Sequence, residues 1–245
     1  MHRLYSEVFG ALIVRTSIFW QYDTAKFVLF TFTSHSVLCL ILTDTQCFFR
    51  IQFGDLFLYK NLSQQVTHME IDLHDPRYIL YTTGAAILFL NRDTLRVQTV
   101  AGHLTDVDYK DGHNSEARFS KLFGFSQSTP THLLVPDSAC NCIRLVDGKL
   151  NFTTPLVGNP DKVRIKDGSF AIARFWQPYK IYRDERKAEL YYLSERRSSR
   201  FRVINMVAGT VSSLRRVTSF FPSPWGGLAA VPNKSGQFYI TTIRV

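Results

Sequence analysis

The feature that most constrains this chain is a repeat. "DGHNSEARFSKLFGF" begins at Asp111, and "DGSFAIARFWQPYKI" begins at Asp167, 56 residues later. Asp-Gly and then Ala-Arg-Phe fall at the same offsets, so Asp111, Gly112 and Phe119 correspond to Asp167, Gly168 and Phe175. A second block follows each first one. "LLVPDSACNCIRLV" (133–146) and "YYLSERRSSRFRVI" (191–204) superpose without a gap at an offset of 58, which sets Asp137 on Glu195 and Arg144 on Arg202. A third block, "TPLVG" at Thr154 and "NMVAG" at Asn205, is read as closing each unit, as "VQTVAG" at Val97 closes an earlier one. An eroded copy, "SFFPSPWGGLAAV" from Ser219, keeps Phe221 and Pro224 and lacks the Asp-Gly.

Each unit resolves into four short strands separated by turn-forming residues such as Asp137, Asn141, Gly148 and Asn159. The sequence predicts strands near 122–126, 132–136, 142–146 and 152–156. An upstream unit of the same design is expected near 69–73, 78–82, 86–90 and 97–100. Four-stranded units recurring every ~40–60 residues are the sequence mark of propeller blades. One such sheet exposes two apolar faces, so neighbouring units must stack to cover them.

The units resemble the NHL repeat family, whose typical unit runs DG…ARF..P.G, then LYVADSGNHRIRVI, then a strand ending in AG. "VPDSACNCIRLVD" is similar to the animal extracellular variants that place Cys just before Ile-Arg, as Cys142 does here. The resemblance covers roughly residues 69–245. It implies an all-β fold, an NHL-type β-propeller of the typically six-bladed kind, here incomplete with three to five four-stranded blades. Residues 66–245 would hold the blades, and residues 1–65 a divergent strand-rich region, either a degenerate blade or a signal-like segment. The family's Asn-His pair is replaced by Cys140-Asn141 and Ser198-Ser199, and the second unit carries Arg196, Arg197 and Arg200 where small or polar residues are usual.

Composition narrows the classes. With 45% hydrophobic and 20% charged residues the chain is too apolar for disorder. Its most apolar run, Phe27 to Leu42, is 16 residues long and broken by Thr and Ser, short of the ~20 a spanning helix needs. It reads as two buried strands, with a signal-like segment as the alternative. Four cysteines with no CxxC pair argue against zinc. On one strand Cys140 and Cys142 would share a face, an awkward geometry for bridging, and they are expected not to pair with each other. Asn61, Asn151 and Asn233 head Asn-x-Ser/Thr sequons, which favours an extracellular or cell-surface location over a cytoplasmic one.

No residue set points to catalysis. The seven His show no ligand spacing and read as surface or loop residues, "GFSQS" lacks the second Gly of a nucleophile elbow, and no phosphate loop occurs. No metal or cofactor is expected, and a degenerate propeller lyase or hydrolase is the remaining enzymatic alternative. The pairs Asp137/Arg144 and Glu195/Arg202 read as structural contacts across a hairpin, and Asp111-Gly112 and Asp167-Gly168 as turns.

Charge gives the functional expectation. The chain carries a net charge of +9, and residues 179–216 hold ten Lys or Arg against four Asp or Glu. Because strands alternate direction, the loop between the second and third strands of a blade opens at the same end as the crossover to the next. Arg196, Arg197 and Arg200 lie in the first kind of loop, and Arg215 and Arg216 in the second. The crossover 103–116 supplies Asp106, Asp108, Asp111 and Glu116. One end would then be basic at one edge and acidic at another, which suits a protein partner better than a uniform polyanion. The expected function is a non-enzymatic binding scaffold for protein–protein interaction, with RNA or another polyanion as the alternative partner. RNA reading would want aromatics beside the arginines. Tyr191, Tyr192 and Phe201 are near but on strands, where packing is their expected role.

Overall fold

The computed structural model describes residues 66–184, 186–198 and 200–214, together with the backbone of strands at 17–22, 25–32, 37–42, 47–53, 56–62, 228–230 and 238–240. It contains no helix among the described residues, none therefore long enough to cross a membrane. Within the apolar run, residues 27–32 and 37–42 pair antiparallel inside a five-stranded sheet: β1 (Ser17–Tyr22), β2 (Ala25–Phe32), β3 (Val37–Leu42), β4 (Cys47–Phe53) and β5 (Leu56–Leu62).

Three blades follow. The first holds β6 (His68–Ile71), β7 (Tyr78–Thr82), β8 (Ala86–Asn91) and β9 (Val97–Gly102), hydrogen-bonded in that order. The second holds β10 (Gly112–His113), β11 (Ser126–Thr129), β12 (His132–Asp137), β13 (Cys142–Asp147) and β14 (Phe152–Gly158). The third repeats it with β15 (Gly168–Ser169), β16 (Pro178–Arg183), β17 (Leu190–Glu195), β18 (Phe201–Asn205) and β19 (Thr210–Ser213). Beyond them β20 (Leu228–Ala230) pairs with β21 (Phe238–Ile240). The eroded copy of the repeat lies outside the described residues apart from β20.

In the second and third blades the Asp-Gly segment forms a fifth, two-residue strand. β10 pairs with the outer strand β14, and β15 with β19. The chain therefore runs down the outer edge of a blade before returning to its inner strand. The inner strand itself starts later than expected. Residues 122–125 contribute only an isolated bridge, Leu122 to Asp137, because the crossover still occupies them.

Strand alternation assigns each residue to one gap between blades. In the second blade Leu133, Val135 and Val146 face the first, meeting Leu80, Ile87 and Ala101. Leu134, Ile143 and Val157 face the third, meeting Tyr191, Leu193, Ile204 and Val211. The repeat's Phe119 and Phe175 are fully buried in these two gaps, each worth about 1.5–3 kcal/mol of apolar burial.

Glycine ends the outer strand for a steric reason. Gly102 and Gly158 have φ of 88° and 110°. A Cβ would lie 2.5 Å from the Ala85 carbonyl oxygen at the first and 2.6 Å from that of Asn141 at the second. The expected third copy of this ending is different. "NMVAG" forms the turn between β18 and β19, where Asn205 Oδ1 accepts the Val207 and Ala208 N–H groups and Gly209 takes φ 62°. A short apolar-Gly signature suits a strand end and a tight turn alike, so the third unit closes with β19 instead.

The cysteine expectation is also corrected: Cys140 and Cys142 form a disulfide. Only Cys142 is on a strand. Asn141, with φ 55°, turns the chain back, bringing the Cα atoms to 5.4 Å. A fully extended pair would stand ~6.6–6.8 Å apart and share a face, whereas 5.4 Å suits a bridge.

Candidate functional site

The repeated charged residues converge on one arrangement in each of two blades. Arg144, third in β13, and Arg202, second in β18, are fully buried. The guanidinium of Arg144 meets Asp111 Oδ1 at 2.7 Å and Asp137 Oδ2 at 3.7 Å, and it donates to the carbonyls of Lys110 and Arg118. Arg202 meets Asp167 Oδ1 at 2.7 Å and Glu195 Oε1 at 2.9 Å, and donates to the carbonyls of Lys166 and Arg174 at 3.0 Å each. Each guanidinium lies over the repeat's aromatic ring, 4.6 Å from the Phe119 centroid and 5.2 Å from that of Phe175.

The acids hold the other strand of the crossover. Asp137 accepts the N–H groups of Ser120 and Lys121 and the Ser120 hydroxyl, and Glu195 accepts the Trp176 N–H. Burial pushes both carboxyls above the ordinary range, against these hydrogen bonds and the arginine beside each. Asp167 is half-exposed, and the Ser213 N–H and hydroxyl, with Arg202, outweigh its desolvation and hold it below the usual range. The acid–arginine pairs are thus in contact as the sequence reading has it. What that reading missed is that the Asp-Gly carboxylate belongs to the same cluster, and that the cluster's purpose is to seize the crossover. The signal was present: all four positions recur together in both units.

The crossover end holds the expected binding residues. Leu122 N–H bonds the Gly84 carbonyl, Ser138 N–H that of Lys121, and Arg196 N–H that of Gln177. The turns after each second strand therefore meet the crossovers at one end. Arg197 and Arg200 are exposed there, and Arg196 is half-buried with its guanidinium 5.9 Å from the Phe123 ring centroid. Lys121 approaches the same ring at 5.5 Å, Phe123 packs on Tyr179 at 4.5 Å, and Trp176 is 39% exposed. Tyr191, Tyr192 and Phe201 are buried. Arg215 and Arg216 lie outside the described residues.

Two parts of the charge reading change. Arg202 and Lys180 are buried, and Arg183, Arg186 and Lys187 sit at the turn after β16, the opposite end of the blade. The acidic edge is largely engaged within the chain: Asp106 pairs with Arg118 at 2.6 Å, Glu116 with Lys110 at 3.7 Å, and Asp111 with Arg144. Asp108 is exposed and accepts the Tyr109 N–H. Among the described residues no three His, Cys, Asp or Glu side chains gather as metal ligands would. His68, read as a surface or loop residue, is buried at the inner edge of the first blade.

No family model matches the chain, and no curated protein sequence does. Solved structures do. An auxiliary nutrient binding protein from Bacteroides thetaiotaomicron is 16% identical with a TM-score of 0.54, over 79% of this chain and 60% of that one. A virginiamycin B lyase from Staphylococcus aureus is 10% identical with a TM-score of 0.46, over 83% of this chain and 74% of that one. At such identities likeness shows the fold alone, and the first of the two carries it. This is a β-propeller architecture of consecutive antiparallel blades. The chain spans 60% of the length of that first structure.

Proposed function

We propose that this chain is a binding scaffold of the NHL type whose crossover end takes an acidic segment of a protein partner. The observation that carries the reading is the division of labour among the arginines. Arg144 and Arg202 are consumed in holding the blades, whereas Arg197 and Arg200 stand exposed in the same loop as Arg196, whose guanidinium shares the Phe123 ring with Lys121, with Tyr179 packed on that ring. Like charges so close repel one another, a cost that an anionic partner relieves and that salt screens over ~8–10 Å. The aromatic rings add apolar contact of the kind enriched at protein interfaces.

An extracellular or cell-surface setting fits this reading. The Cys140–Cys142 disulfide suits an oxidising compartment, and Asn151 of the Asn-Phe-Thr sequon is exposed on the turn at the other end of the blade.

Binding of a polyglutamate peptide tests the reading, with an RNA homopolymer as the competing polyanion. Arg196→Ala, Arg197→Ala and Arg200→Ala together should leave stability within ~0.5 kcal/mol. They should weaken peptide capture and flatten its salt dependence, chiefly through association rate. Equal capture by wild type and triple variant at low and high salt would refute it, and tighter capture of RNA than of the peptide would move the partner class.

A further inference from the structure

The inner edges of the blades hold a second cluster that the crossover end does not use. β6 sets His68 and Glu70 two residues apart, on one side of the strand, and β16 brings Lys180 to them from the third blade. Lys180 Nζ donates to the Thr67 carbonyl at 3.1 Å and lies 3.5 Å from His68 Nδ1. The other ring nitrogen, Nε2, is 3.0 Å from Glu70 Oε1. An ionised carboxylate only accepts, so Nε2 carries the ring proton and Nδ1 presents its lone pair to the lysine.

The surroundings fix this order. The Phe125 ring meets the imidazole edge-on at 5.1 Å. Gly124 lets both side chains lie against the backbone, since a Cβ there would stand 3.2 Å from Lys180 Cδ and 3.6 Å from His68 Cγ. Lys180 and His68 are buried, while the Glu70 side chain is 29% exposed and forms the open edge of the cluster. Carboxylate, imidazole and amine in series are the arrangement of a nucleophile with an oriented base. Burial lowers the lysine amine to about 7, and burial with the nearby Lys180 lowers His68 in turn. The titratable groups set around the amine include His68 and Glu70, with Tyr179, its chain neighbour, whose ring centroid lies 5.8 Å from Nζ.

We propose that Lys180 captures a small aldehyde or ketone covalently, with His68 relaying the proton and Glu70 positioning His68. The amine lone pair attacks the carbonyl carbon and opens the C=O bond. Both amine protons pass in turn through His68 Nδ1 to the former carbonyl oxygen, the first giving the carbinolamine and the second as the C=N bond forms, so that the oxygen leaves as water. The step is a condensation, with no change of oxidation state. It is independent of the arginine end, so either reading can fail without the other.

The test is site-resolved labelling of the full chain with acetylacetone, which condenses with unprotonated amines to an enaminone and water. Peptide mass spectrometry follows each lysine from about pH 6 to 10, with exposed Lys149 and Lys162 as internal standards. Near pH 7.5 Lys180 should react roughly tenfold faster than the exposed Lys149, because burial leaves its amine largely unprotonated there. Its rate should level off above its midpoint near 7. His68→Gln should slow Lys180 severalfold and leave Lys149 unchanged, and Glu70→Gln should slow it less. The wild-type pH profile stands on its own if a variant fails to fold. Labelling of Lys180 no faster than Lys149 at every pH, or only after urea unfolding, would show a lysine that merely ties β16 to the Thr67 carbonyl.

Discussion

At the third residue of its third strand the first blade carries Leu88, where the second carries Arg144. At the end of the preceding strand it carries Thr83, where the next two carry Asp137 and Glu195. Leu88 is 4% exposed, and the Thr83 hydroxyl stays within its own turn, accepting the Ala86 N–H at 3.1 Å. All three blades have buried apolar residues on their middle strands, so the arginine cluster is not what builds a sheet. The difference lies at the edge. The first blade has four strands, and the two with arginines have a fifth, supplied by the crossover. Burying a guanidinium with one acid, Asp137 or Glu195, is expensive and weak evidence for stability on its own. Here it satisfies four crossover backbone groups in the second blade and three in the third, and holds that fifth strand in place.

Substitutions at these positions test the contrast directly. The largest effect is expected from Arg202→Leu, or Arg144→Leu in the second blade. Either leaves a buried acid without its counter-charge and two carbonyls without donors, and should cost about 3–5 kcal/mol in urea unfolding. A loss under about 1 kcal/mol would mean that the cluster holds nothing. Next comes Leu88→Arg, which puts a guanidinium in the blade that lacks the acid, and should cost roughly 3 kcal/mol by the same measurement. A neutral result would reveal hidden acceptors in the first blade.

Transplanting the first blade's pair, Glu195→Thr with Arg202→Leu, should be milder than Arg202→Leu alone, at about 1–2 kcal/mol, since the stranded carboxylate is gone. Faster amide exchange confined to residues 166–174 would show the crossover loosened with the sheet intact. A double variant as unstable as the single one would contradict the assigned role of Glu195.

The smallest effect is a pH dependence peculiar to the first blade, whose buried imidazole has no counterpart in the arginine clusters. Burial holds the folded His68 below its unfolded value of 6.5. The unfolded chain therefore takes up the proton first, and stability falls as pH drops below 6.5. The slope approaches 1.4 kcal/mol per pH unit only between the two values. His68→Gln should flatten unfolding midpoints measured from about pH 7 to 5, and an unchanged profile would remove His68 from the account.

The blades were legible because a fixed offset repeats residues whose backbone needs are local: Asp-Gly turns, alternating apolar strands, Gly where φ is positive. Strand positions for β7, β8, β12 and β13 follow from alternation to within a residue. Longer-range features were not legible. Asp111 meets Arg144 only once β10 is laid on β14, and Asp-Gly alone reads as a turn. Lys180 and His68 stand on strands of different blades, so nothing in either segment announces the other. The cysteine pair misled because Asn141 takes a left-handed conformation that removes Cys140 from the strand line. Arg196, Arg197 and Arg200 were singled out by their place in the loop between the second and third strands, whereas Arg202, counted in the same basic stretch, is buried where β18 pairs with β17.

Each arginine-bearing blade is drawn from one uninterrupted stretch of chain, 112–158 and then 168–213, with no strand lent to a neighbour. The buried arginine grips residues 26 to 36 positions before it, never those of another blade's strands. Ordering of one unit therefore needs only loops of modest length, and a blade can complete its own pairing as soon as its last strand is synthesised. The same contiguity bears on ancestry. A duplication or loss of one such stretch changes how many blades are stacked without re-pairing any strand that remains, which gives copy number an evolutionary freedom that strand-swapped propellers lack.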